Sequence, residues 1–300
     1  MRTISIINQK GGCGKTTTAI NLSASLAKLN RRVLLIDLDP QGHASLGLNL
    51  RPEDLTKGMT EVLTQGACLD DVVYESICPN LDVAPANITL SSAEQLLASA
   101  AQKEQRLLSA IESSRRSYHY VIIDSPPSLG LLTFNSLRAS DEAIVPVDMG
   151  FFSLHGLAKL IEIVDVVARH TGHEVAVWAL ATMVNRHARF TQEILDEVKR
   201  HFMERTFKTM IRNNVRLREA TSHGLPITEY DPHAIGAADY MSLAQEVIQP
   251  EAGVSVEAAA TAAAPRIPEI EAQKFLGPIL IEEILPDQTK RSVLKSGANG

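Results

Sequence analysis

ISIINQKGGCGKTTTAINLSASLA, residues 4–27, reads as a β-branched run, a glycine-rich turn and a helical stretch, in that order. That order decides the fold. Gly11, Gly12 and Gly14 let the chain turn tightly and aim its backbone N–H groups at anionic oxygens. The helix beginning at Lys15 adds the positive end of its dipole to the same spot. Strand, phosphate loop and helix together predict a nucleotide site. Lys15 is expected to reach the β- and γ-phosphates, and the Thr16 hydroxyl to sit on Mg²⁺. One residue is left over: Lys10, at the front edge of a loop that needs a single lysine.

Outward from this unit, short β-branched runs alternate with helical patterns for about 250 residues. Strands are expected at 3–8, 32–38, 81–86, 120–124, 142–147 and 175–184, with helices near 15–29, 91–113, 153–170, 191–202 and 234–248. Such alternation predicts an α/β fold, a mostly parallel twisted sheet with helices on both faces. Near Pro250 the character changes. An Ala-rich stretch broken by Pro265 and Pro268 reads as a linker, leading to a short apolar cluster at 275–285 and a polar end. The expected organisation is therefore one α/β nucleotide-binding domain, 1–249, and a linker with a disordered tail, 250–300.

Composition narrows the classes. The chain has 300 residues, 45% hydrophobic and 21% charged, the balance of a soluble globular protein. No apolar run is long enough for a membrane span. Cys13, Cys68 and Cys78 form no CxxC pair, which points away from a disulfide scaffold or zinc site and towards a reducing cytoplasm. The net charge of −6 argues against a globally basic nucleic-acid binder. Residues 185–218 run the other way, with nine Lys or Arg against four acids. This local +5 predicts a one-sided contact with a polyanion. Arginines on such a face would touch phosphates without reading bases.

Two acidic motifs follow strand ends. In LLIDLDPQGHASLGL (34–48), Asp37 and Asp39 stand two apart before Pro40 and Gly42 open a loop. Carboxylates there can orient a water or complete a magnesium shell. In YVIIDSPPS (120–128), Asp124 ends an apolar strand beside the glycine loop, the position from which an acid holds Mg²⁺ through water.

KGGCGKTT (10–17) resembles the deviant Walker A motif of the ParA/MinD class of P-loop ATPases, in which the extra lysine reaches the partner subunit's nucleotide. The resemblance implies that Lys10 acts across a dimer axis. It also implies that Gly11, Gly12, Cys13, Gly14, Lys15, Thr16 and Thr17 cradle ATP. DLDPQG (37–42) resembles the switch of the ParA/Soj branch, and by that match Asp39 positions the attacking water. Thr16, Asp39 and Asp124 then serve the Mg²⁺, and Asn185 contributes to the adenine pocket. The similarity spans roughly residues 2–249 and departs at His43, where the family has Asn, and at Ser125, where it has Cys.

What the resemblance implies is a cytoplasmic, nucleoid-associated ATPase. ATP would make a sandwich homodimer that binds DNA non-specifically. A ParB-like or cargo-adaptor protein would stimulate hydrolysis, so that a chromosome, plasmid or protein assembly is positioned. Soj-like relatives bind DNA through arginines. One matches Arg216, near Arg218; another falls on His187, flanked by Arg186 and Arg189. A MinD-like membrane-surface switch is the alternative. It would need a basic amphipathic C-terminal helix, whereas IEEILPDQ (281–288) is acidic and broken by Pro286.

Overall fold

The structure, a computed structural model, describes residues 1–150, 153–185 and 189–249. The predicted linker and tail, 250–300, lie outside these. The chain runs β1 (Arg2–Ile6), α1 (Lys15–Lys28), β2 (Val33–Asp37), α2 (His43–Leu46), α3 (Met59–Gln65), β3 (Tyr74–Cys78), β4 (Leu81–Ala84), α4 (Ala93–Leu97) and α5 (Arg106–Glu112). It continues with β5 (Tyr120–Asp124), α6 (Leu131–Arg138), β6 (Glu142–Asp148), α7 (Ser153–Thr171), β7 (Ala176–Thr182), α8 (Arg189–Phe202), α9 (Val215–Ser222), α10 (Ile227–Tyr230) and α11 (Ile235–Ile248).

The strands form one sheet in the order β3-β4-β2-β5-β1-β6-β7. Every pairing is parallel except β3 with β4. Strands β2 and β5 are buried at every residue, as a parallel sheet covered on both faces requires. On one face, Ile4, Ile6, Leu35 and Ile122 pack with Leu22 and Leu26 of α1 and Leu243 of α11. On the other, Leu34, Ile36 and Ile123 pack with Val62 of α3, Leu97 of α4 and Leu132 of α6. From β1 the chain crosses to β2 on one side, while β6 and β7 lie on the other. The carboxyl end of β1 is thus a topological switch point, where parallel sheets open a ligand crevice. Pro146 interrupts β6 without losing a ladder bond. The side facing β1 carries the Ile7 N–H to Ile144 O bond (3.0 Å), and two residues later β1 has ended.

Two expectations are corrected. The helix foreseen over 91–113 is broken: α4 and α5 are separated by Gln102, at φ 52°, and a 3-10 turn at Lys103–Gln105. Asn135 of α6 fixes the start of the second helix. Its Nδ2 donates to Lys103 O (2.8 Å) in the 3-10 turn and its Oδ1 accepts from Leu107 N (3.2 Å) in the first turn of α5. Strand β3 was not foreseen at all. Its residues are mostly exposed at the sheet edge, so no apolar alternation marks it. The other edge, β7, is covered by the segment after α8, where Phe207 N donates to Ala179 O (3.0 Å) and Ile211 N to Ala181 O (2.9 Å). Among the described residues no helix is long and apolar enough to cross a membrane.

Candidate nucleotide site

The loop leaving β1 is clamped before it turns. Asn8 Nδ2 donates to Pro146 O (2.7 Å), and its Oδ1 accepts from Lys10 N (3.0 Å). Gly12 (φ 72°) and Gly14 (φ 97°) take the left-handed conformation that the turn demands and that a side chain resists. A Cβ added at Gly11 or Gly12 would meet nothing within 4 Å, so open space adjoins the loop where phosphates would lie. Cys13 points inward, fully buried. Its carbonyl accepts a hydrogen bond from Thr182 Oγ1 at the end of β7 (2.8 Å).

The two lysines behave differently. Lys15, at the start of α1, is 8% exposed, and its Nζ donates to the Lys10 carbonyl (3.3 Å), folded back into the loop. The Lys10 side chain is one-third exposed, and its Nζ lies 2.7 Å from Asp148 Oδ2 at the end of β6. Thr16 and Thr17 are half-buried in the first turn of α1.

The acids gather at adjacent strand ends. Asp37 and Asp124 are register partners across β2 and β5, and both are fully buried. Asp37 Oδ2 accepts from Ser45 N and Ser45 Oγ, each at 2.7 Å, and Oδ1 from Asp39 N at 3.2 Å. It therefore pins the start of α2 rather than facing the loop's open side. Burial, with the Asp39 charge adding to it, pushes the Asp37 carboxyl up to about 6, although the Ser45 donors oppose the rise. Asp124 is pushed well above the usual carboxylate range, first by burial and then by the charge of Asp37. The Thr16 hydroxyl and Lys15 oppose that shift. Thr16 is thus electrostatically close, yet neither Asp124 oxygen makes a hydrogen bond of full geometry among the described residues. Asp39 is 7% exposed, with Oδ1 accepting from Gln41 N (2.9 Å).

A buried carboxylate pair with one member unbonded is a costly arrangement unless a cation completes it. Among the described residues, no cluster of three or more His, Cys, Asp or Glu side chains can hold an ion alone. Mg²⁺ suits such a place because it keeps waters and shares phosphate oxygens instead of demanding an all-protein cage. The residues present fit it.

The comparisons with known proteins agree with this geometry. The AAA domain family matches residues 1–177. The sporulation initiation inhibitor protein Soj of Bacillus subtilis is 44% identical over 81% of this chain and 97% of its own length. The chromosome partitioning protein ParA of Myxococcus xanthus is 38% identical over 83% of this chain and 88% of its own. The chain belongs to the ParA/Soj family of P-loop ATPases. Among solved structures, cobyrinic acid a,c-diamide synthase of Mycobacterium smegmatis, with bound ATP analog and magnesium, superposes with a TM-score of 0.74 at 28% identity. That match covers 84% of this chain and 96% of the synthase.

In this ParA/Soj chain the basic stretch is more tightly tied than its charge count suggests. Arg212 is locked to Asp239 of α11, with Nε 3.0 Å from both carboxylate oxygens, and so belongs to the scaffold. Arg216 and Arg218 are exposed on α9, on either side of the buried Leu217. Asn214 caps that helix by accepting from Arg216 N (2.9 Å). The Arg216 guanidinium bonds Glu219 (2.8 Å) and lies 3.6 Å from Asp231. Arg186 and His187 lie outside the described residues, and Arg189 is placed only by its backbone at the start of α8. Asn185 is exposed just past Val184, which is stitched to the Ile211–Asn213 segment on both sides.

Sequence reasoning missed four residues that hold this site: Asn8, Ser45, Asp148 and Thr182. Asn8 and Asp148 carried a weak signal, since each is a polar residue at the end of an apolar strand. Thr182 also ends an apolar strand, but its partner Cys13 lies 169 positions away, and Ser45, though eight residues from Asp37, carried no signal of its own.

Proposed function

We propose that this ParA/Soj protein is a partition ATPase that binds ATP with Mg²⁺, pairs with a second copy and holds DNA without reading its sequence. A ParB-like or cargo-adaptor protein would stimulate hydrolysis and so release the DNA, moving a chromosome, plasmid or protein cargo. The observation that carries the reading is the different setting of two lysines on one loop: Lys15 is nearly buried and folded back on the Lys10 carbonyl, while Lys10 is one-third exposed and paired with Asp148. On this reading Lys15 would serve its own phosphates and Lys10 those of a second copy. Thr16, Asp39 and Asp124 would hold the Mg²⁺ shell, which supplies charge neutralisation to the phosphates. Asp39, at the mouth of the acid cluster, would accept a hydrogen bond from the attacking water and orient it. The relatives named for chromosome partitioning support the biological role.

Light scattering tests the pairing. Lys10→Ala should keep ATP affinity within about threefold of the parent and lose the ATP-dependent dimer, because two facing phosphate groups would then repel without a bridging cation. A Lys10→Ala protein that dimerises fully with ATP would falsify this role.

DNA binding is expected only with ATP, equally on unrelated sequences, and weakening steeply with salt as counterions are released. Arg216→Glu should lower it at least tenfold in a filter or anisotropy assay, with the ATP dimer intact. Salt-insensitive binding, or unchanged affinity in that variant, counts against the α9 face.

A further inference from the structure

The Thr182 side chain stands against the phosphate loop at the Cys13–Gly14 peptide. It ends β7, is 2% exposed, and its Oγ1 donates to the Cys13 carbonyl at 2.8 Å. Its Cβ, Cγ2 and Oγ1 each stand 3.9 Å from the place a Cβ on Gly14 would occupy, so the side chain lies flush against the Cys13–Gly14 peptide. That peptide is trans, like all those described. In a planar trans peptide the C=O and the following N–H point in opposite directions. A hydroxyl that holds the Cys13 oxygen therefore also aims the Gly14 N–H away from itself, into the bowl of the loop. Backbone N–H groups there are the donors that cradle phosphates.

The geometry points to Thr182 as a positioning residue that sets one phosphate-binding N–H of the loop in place before nucleotide arrives. The inference rests on the nucleotide reading of the loop and goes beyond it. Without the hydroxyl the Cys13–Gly14 peptide, with a glycine on its C-terminal side, loses the side-chain bond that fixes its orientation. The N–H would then have to be oriented at the moment of binding.

The anchor is itself braced. Met183, the next residue, is a non-glycine at φ 54°, and it is exposed rather than packed. Val184 follows, with its N–H donating to Ile211 O (3.0 Å) and its carbonyl accepting from Asn213 N (3.2 Å). Between those two lies Arg212, clamped to Asp239. The left-handed step at Met183 turns the chain sharply between Thr182, on the loop, and Val184, on the outer segment. A strained residue at this point fits a place where two orientations must be met at once.

Thr182→Val keeps the shape and removes the donor, whereas Thr182→Ser keeps the donor. Nucleotide affinity is read by calorimetry on proteins whose melting curves without nucleotide show them to be folded. The valine variant should bind ATP and ADP about tenfold more weakly, by the same factor for each, since the donor is aimed at phosphates both share. Serine should restore both to within about twofold. Equal affinities in parent and valine variant overturn the proposal, and so does an equal loss in the serine and valine variants. If valine proves unfolded, the serine variant and Thr182→Ala decide. Alanine, which also lacks the donor, should weaken both nucleotides while serine does not, and unchanged affinity in it overturns the proposal. Lys15→Ala in the same series separates the two failures. If the parent binds no ATP, the nucleotide reading fails; if Lys15→Ala loses ATP and Thr182→Val does not, only the anchor fails.

Discussion

Lys15→Ala should reduce ATP affinity by about a hundredfold or more while the protein stays folded. Lys15 is nearly buried at the first turn of α1, and its ammonium donates one long hydrogen bond, 3.3 Å to the Lys10 carbonyl, near the Asp124 carboxyl. That weak bond marks a group whose proper counterion is a ligand. Removing one member of a buried, hydrogen-bonded charge pair costs about 2–5 kcal/mol, because the other charge is left unopposed. A loss of about 3 kcal/mol is roughly a hundredfold in affinity. Stability without nucleotide should change less than ATP affinity does, since the contacts given up are one long hydrogen bond and the attraction to a buried Asp124 that burial already favours in its neutral form. Calorimetry with ATP and a melting curve separate the two effects. Undiminished affinity would remove the basis for the site.

Asp124→Asn should make the nucleotide-free protein more stable and at the same time abolish its response to Mg²⁺ with ATP. The buried Asp124 carboxylate has no hydrogen bond of full geometry among the described residues and faces the charge of Asp37 across one register step. Its pKa in the folded chain is raised well above 3.8, so folding takes up a proton between the two values. The native state is then favoured by protonation at low pH, and that advantage is lost as pH rises through the folded pKa. A neutral amide escapes the loss. The variant should therefore exceed the parent by about 1–3 kcal/mol at pH 8, and the difference should shrink as pH falls towards 4. Asp37, raised to about 6, titrates in the same range. The readout is therefore the difference between variant and parent, not either curve alone. At roughly 2–4 °C per kcal/mol for a domain this size, the gain is visible in a thermal melt. A variant less stable than the parent at pH 8, or one that still gains stability from Mg²⁺ with ATP, would show that the acid is not held for a cation. Strain kept at a site for the sake of binding is the expected form of this trade.

Much of the molecule was legible from its residues. The loop was read from Gly11, Gly12, Gly14, Lys15 and Thr16 because its chemistry is local: the backbone that binds phosphate, the helix dipole and the lysine all lie within about ten consecutive residues. The parallel strands were read from β-branched runs because burial on both faces leaves a continuous apolar signature. The restart at α5 was not readable, since Asn135, some thirty residues downstream, holds the turn before it and its first N–H groups through two hydrogen bonds. Nor was β3, which at the sheet edge is largely exposed and so bears no pattern of burial.

The site divides along the same line. The sequence by itself determined that a phosphate loop follows β1, that acids stand at the ends of β2 and β5, and that a second lysine precedes the glycines. Each is a residue type at a strand end or turn, fixed by spacing along the chain. Only the tertiary structure decided what each group faces. Asp37 turns to Ser45, whereas Asp124 has no hydrogen bond of full geometry among the described residues, so two strand-end acids meet different surroundings. Lys10 meets Asp148 on β6, Arg212 is spent on Asp239 in α11, and Thr182 of β7 holds the Cys13 carbonyl 169 positions away. These pairings depend on strand order. A parallel sheet sets residues far apart in sequence side by side at the carboxyl ends of its strands, and no spacing along the chain records which of them will meet.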